Sequence, residues 1–203
     1  MDQHEATENL ATIRRIMESA TQLTTLPGKA AICGGVLALA GCAVTFWQMR
    51  SMDFGAVAKL PEGTRATIIA TWAVVAVATI LIDIAMTVRL ARRKGMNPWS
   101  RLSQLAAYAM GPGIAAATLL MVAFVARGEW QLVAPVWMML YGTAVWMAGI
   151  LSVRAPRTLG LVFFIAGALT LFWLTPWAVA MVALTFGAAH VAYGIYLIRR
   201  FGD

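Results

Sequence analysis

The chain has 203 residues, 61% of them hydrophobic and 12% charged, with a net charge of +7 and a mean hydropathy of +0.75. Soluble domains carry about 25% charged residues, so this chain has too little polar surface to cover a water-soluble globule and reads as integral membrane. Its basic residues sit at the ends of apolar runs and are not interleaved with base-stacking aromatics, which excludes nucleic acid as the partner and points to membrane topology.

The chain opens Met1-Asp2-Gln3-His4-Glu5, acidic where a secretory signal is basic, and no apolar core follows for two dozen residues. No cleaved signal is expected. Residues 5–24 predict an amphipathic helix: Leu10, Ile13, Met17 and Ala20 recur at helical spacing, while Glu8, Arg14, Arg15 and Glu18 stay off that stripe. Pro27-Gly28 then breaks it. Residues 1–28 are thus read as a cytoplasmic helix and linker, and 29–203 as a membrane domain.

Runs free of charge apart from Asp83 mark the spans at 30–49, 66–88, 102–126 and 130–153, each bounded by charged residues and close to the ~20 residues that cross a ~30 Å hydrocarbon core. The run from Thr158 to Ile198 has 41 residues without Asp, Glu, Lys or Arg. As one helix it would reach roughly 60 Å at ~1.5 Å per residue, twice the membrane. It must fold back, and Thr175-Pro176 is the expected turn, because proline disfavours helix at the residue before it. Spans at 158–174 and 177–198 complete an all-α bundle of six.

Alternate connections then divide the basic residues. Twelve of the 16 fall on the side of the N-terminus and four (Arg50, Lys59, Arg65 and Arg127) on the other. That asymmetry predicts both termini in the cytoplasm. Trp47, Trp72, Trp130, Trp173 and Trp177 fall at the outer ends and Trp99 near an inner end, as an interfacial aromatic belt. Cys33 and Cys42, nine residues apart at ~100° each, point to opposite faces of one helix and read as small buried hydrophobes.

An internal repeat is also suggested. Sliding the second span by 107 positions brings Ala73, Val75, Ala76, Ala85, Leu90, Arg92, Arg93 and Gly95 onto Ala180, Val182, Ala183, Ala192, Leu197, Arg199, Arg200 and Gly202, with Asp83 opposite His190. Gly28, Gly35, Leu37 and Leu39 of the first span match Gly160, Gly167, Leu169 and Leu171 of the fifth. Ala/Val/Leu-rich sequence also yields such matches by chance; a true repeat would be parallel, relating hairpins of like orientation.

Candidate functional residues are few. Asp83 is the only carboxylate inside a span, and Thr79, Asp83 and Thr87 form one polar stripe at four-residue spacing. A charge at membrane depth costs a few kcal/mol on insertion scales (about 3) and marks a site by default; the alternative is a carboxylate reaching the cytoplasmic interface near Arg89. His190 shares a stripe with Ala183, Gly187, Gly194 and Leu197, whose small members permit close helix contact. Its depth is similar to that of Asp83, so the two could share a proton, or the imidazole could simply fix helix register. Tyr141 and Tyr193 are the expected hydroxyl partners. Gly111-Pro112-Gly113 is expected to interrupt the third span, as in transporters that bind solute at broken helices, or merely to kink it.

No HExxH, GxSxG, P-loop or paired-histidine haem signature is present, so the chain is not read as an enzyme and no cofactor or metal is assigned. Three stretches, ESATQLTTLPG (18–28), PVWMMLYG (135–142) and FGAAHVAYG (186–194), together resemble a group of small bacterial six-span proteins without an assigned function. The resemblance implies a bacterial inner-membrane protein and places interest on Glu18, Trp137, Tyr141, His190 and Tyr193. Two functional readings follow: a non-enzymatic accessory or sensor protein acting through helix packing, with the lipid bilayer and a protein partner or second copy as its surroundings, or a small solute or proton-coupled permease centred on Asp83 and His190.

Overall fold

A computed structural model describes residues 27–150, 152 and 154–202. The amphipathic helix expected at 5–24, with Glu18, lies outside them. Among the described residues, six helices are long and apolar enough to cross a membrane: α1 (Gly28–Met49), α2 (Glu62–Arg93), α3 (Arg101–Arg127), α4 (Trp130–Ile150), α5 (Arg154–Phe172) and α6 (Thr175–Phe201). The chain is an all-α, multi-pass membrane protein. Its helices exceed the expected spans at most ends because charged and interfacial residues continue the same backbone hydrogen bonding beyond the apolar run. The exceptions are α4, which ends at Ile150 rather than 153, and α5, which ends at Phe172 rather than 174. The turn into α6 falls at Thr175-Pro176-Trp177, as a single 3-10 turn.

Lipid supplies no hydrophobic driving force between helices, so close van der Waals contact has to hold them. Glycine provides it in two antiparallel pairs. Where α1 meets α6, a Cβ on Gly28 would sit 2.6 Å from the Gly194 carbonyl oxygen and one on Gly35 2.8 Å from that of Gly187. Where α4 meets α5, Cβ atoms on Gly142 and Gly160 would each lie 2.6 Å from the other's carbonyl oxygen. Farther along, Gly167 approaches the Pro135 carbonyl, and Gly149 packs against Arg157. The Arg157 guanidinium donates to the Gly149 carbonyl (Nε, 2.7 Å) and the Ile150 carbonyl (Nη2, 3.2 Å), capping the C-terminus of α4.

α6 lies against α1, α4 and α5 and is the hub of the bundle. α2 packs on α1 through Thr79 against Gly34, Val75 against Gly41, and a Trp72 Nε1 bond to Thr45 Oγ1 at 3.0 Å. α3 packs on α4. Only 6% of the apolar window of α2 and of α3 is buried, against 33–39% in the other four, so these two helices are peripheral.

The glycines matched between the first and fifth spans do play equivalent parts, but α1 uses them against α6, whereas α5 uses them against α4. The hairpin repeat is therefore not expressed as equivalent hairpin packing.

The expected break at Gly111-Pro112-Gly113 is corrected. α3 runs unbroken from Arg101 to Arg127 with Pro112 inside it. Proline forfeits one backbone bond, but unwinding a peripheral helix would expose several polar backbone groups to lipid, a larger penalty. Gly113 serves packing instead, with its Cβ position 3.0 Å from the Ala144 Cβ, while Gly111 faces open space.

The end of the bundle opposite the basic one is closed by the chain itself. The α1–α2 connection forms a 3-10 turn (Phe54–Lys59) that lies against α4 and the start of α6. Asp53 Oδ1 accepts from the Gly55 N–H at 2.7 Å, and the Val179 N–H donates to the Met52 carbonyl at 2.9 Å. Phe54, Val57 and Trp130 are buried in the core at this end.

Candidate functional site

α6 changes its winding just before the imidazole. Ala178–Val182 is α-helical, Ala183–Ala189 is a π-helical segment, and α-helix resumes at His190. A π turn widens the helix and leaves carbonyls off the usual ladder, and such turns recur at functional positions. Here the Thr185 carbonyl lies 3.3 Å from His190 Nδ1. The Thr185 hydroxyl, fully buried, donates back to the Met181 carbonyl at 2.8 Å.

The other ring nitrogen reaches α4: Tyr141 Oη and His190 Nε2 are 2.9 Å apart. A carbonyl can only accept, so Nδ1 carries the proton and Nε2 is left as acceptor for the phenolic O–H. The neutral imidazole thus has both nitrogens engaged. Binding a metal through Nε2 would require breaking the Tyr141 bond.

Rings enclose the pair. Phe163 of α5, fully buried, stands edge-on to both Phe186 (4.6 Å between centroids) and His190 (5.2 Å). Tyr141 lies 4.9 Å from Phe163 and from Phe186, tilted against each. Phe186 stacks on the imidazole at 5.9 Å with 9° between planes. Edge and offset contacts of this kind add about 0.5–1.5 kcal/mol each beyond area burial. Three helices are thereby joined at one level, by α4 through Tyr141, α5 through Phe163 and α6 through Phe186 and His190.

The stripe predicted for α6 divides in two. Gly187 and Gly194 face α1, whereas the imidazole turns to α4 and α5. Tyr193, half-buried against the core, makes no hydrogen bond among the described residues.

Asp83 is not bonded to His190. Its side chain is exposed on α2, with no hydrogen bond or ion pair among the described residues. It nonetheless lies at the level of the site. α1 serves as a ruler for this. Thr79 lies against Gly34, so Asp83 is one turn nearer the basic end, while Gly194 lies against Gly28 and Ile32. Asp83 and Tyr193 therefore share a level. Of the predicted polar stripe, Thr79 is committed to α1 packing, and Thr87 is half-buried without a bond among the described residues.

Phe163, Phe186 and Thr185 belong to the site without a signal in their spacing. Only the neighbourhood of Phe186 and Thr185 to His190 hinted at them. No family model matches the chain, and neither a curated protein nor a solved structure matches it.

Proposed function

We propose that the chain is a non-enzymatic accessory or sensor protein of the bacterial cytoplasmic membrane, with both termini in the cytoplasm, and that it acts through helix packing. The observation that carries this reading is the double engagement of His190, held by Tyr141 and the Thr185 carbonyl under three aromatic rings. An imidazole so saturated fastens helices. It has no lone pair left with which to take up a ligand or start a reaction.

Two further observations support it. Phe54, Val57 and Trp130 are buried apolar residues at one end of the bundle, between that end and the imidazole. Among the described residues, the six candidate spans put ten of the fourteen basic residues at one end, which supports a cytoplasmic location for that end. The open faces of α2 and α3 are available to lipid, another membrane protein or a second copy.

Asp83 favours a second reading. An exposed, unbonded carboxylate at membrane depth, level with Tyr193 three residues from the imidazole, is what a proton- or solute-coupled permease would need. Flux across reconstituted liposomes separates the two: the accessory reading expects none above protein-free vesicles, and the permease reading expects flux that Asp83→Asn abolishes.

A further inference from the structure

The inner half of α6 has a second face, turned away from the bundle. Ala192, Ile195, Tyr196, Arg199 and Arg200 line a shallow depression of about 350 Å³. Their spacing is three, four, seven and eight residues from Ala192, which is one face of a helix. Ile195 and Tyr196 are 39% and 50% exposed, and Ala192 and both arginines are exposed as well. Neither guanidinium, nor the Tyr196 hydroxyl, has a hydrogen bond or ion pair among the described residues.

We propose that this groove binds one anionic phospholipid. Arg199 and Arg200 take the phosphate, the Tyr196 hydroxyl donates to the same headgroup, and the groove beside Ala192 and Ile195 receives the upper acyl chain. Three features choose this occupant. First, the charges complement it: two unpaired guanidiniums on adjacent residues present forked donors to phosphate oxygens. Second, the polarity runs the right way. Arg199 lies seven residues from Ala192, about 10 Å at ~1.5 Å per residue, so the charged end is at the helix terminus and the apolar end extends toward mid-membrane. A soluble phosphate would use only the charged end. Third, Ala192 is what keeps the depression open, since a large side chain there would fill it.

The opposing force is the C-terminal helix dipole, equivalent to about half a negative charge. Two full positive charges outweigh it. Basic pockets at the cytoplasmic ends of spans recognise anionic headgroups by the same balance.

The test is native mass spectrometry of the full chain in detergent, titrated with phosphatidylglycerol or phosphatidylcholine. One phosphatidylglycerol should be retained at least tenfold more than phosphatidylcholine. Arg199→Gln with Arg200→Gln should remove that preference, and the paired lysine variant should keep most of it. Ala192→Trp leaves every charge in place and should still lose the lipid at least fivefold. Arg92→Gln with Arg93→Gln, equal in charge removed and at the same end, should leave retention unchanged. Equal retention of the two lipids, indifference to Ala192→Trp, or displacement by millimolar inorganic phosphate would overturn the proposal; circular dichroism confirms that each variant is folded.

Discussion

Tyr141 and His190, 49 positions apart, meet at 2.9 Å with the phenol as donor and Nε2 as acceptor, because the Thr185 carbonyl claims the proton on Nδ1. The direction of this bond is set by a carbonyl that the π segment of α6 turns toward the ring. Local winding, tautomer and tertiary contact are thus linked in one place.

The first prediction concerns the strength of that link. Interhelical hydrogen bonds in membranes average about 0.6 kcal/mol and reach about 1.7 in double-mutant cycles. A cycle of Tyr141→Phe and His190→Ala, read by equilibrium unfolding in mixed micelles, should give a coupling energy of about 0.6–1.7 kcal/mol. Additive losses would mean that the bond contributes nothing.

Glycine substitutions should separate by position. Gly142→Ala and Gly194→Ala put a methyl group against a facing backbone carbonyl, Gly160 in the first case and Gly28 in the second. Overpacking of this kind costs about 1–3 kcal/mol. Gly111→Ala meets open space and should be neutral or stabilising, up to ~1 kcal/mol, from helix propensity. Thermal unfolding in one detergent ranks the three, and an equal loss from all of them would refute the glycine seams.

Much of this arrangement was legible in the sequence because its causes are one-dimensional. Charge-free runs set the spans, and Thr175-Pro176 set the last turn. Tyr141 was accessible as a partner because a phenol in an apolar helix needs one. What failed has a common origin. Pro112 looked like a break because sequence shows the bond that proline loses, not the lipid that penalises opening the helix further. The π segment leaves no spacing signature, so the divergence of His190 from the Gly187–Gly194 face was hidden. Asp83 lies level with Tyr193, but its exposed, unbonded side chain depends on how far α2 stands from α6, which periodicity does not encode.

Topology gives a third prediction. With Cys33 and Cys42 replaced by alanine, Glu129→Cys in the α3–α4 connection should label with a membrane-impermeant maleimide on intact cells, and Lys94→Cys should label only after lysis. A cytoplasmic signal from a C-terminal reporter should accompany this. The reverse labelling would invert the orientation drawn from the basic residues.

The contact between α2 and α1 gives a fourth. Thr45→Val keeps the shape but removes the acceptor for Trp72 Nε1, now 3.0 Å away. The loss should be about 1 kcal/mol, with a shifted Trp72 fluorescence maximum as the indole N–H loses its partner. An unchanged spectrum and stability would show that α2 is held by Thr79 and Val75 alone.

Whether His190 fastens the bundle or moves a proton is decided most directly by proton flux into liposomes containing the wild type, His190→Ala, Tyr141→Phe or Asp83→Asn, with the unfolding stability of each measured alongside. The account predicts flux at the protein-free level for all four, with stability lost in the His190 and Tyr141 variants and little changed by Asp83→Asn. Wild-type flux well above that level, abolished by Asp83→Asn or His190→Ala while the variants remain folded, would contradict it.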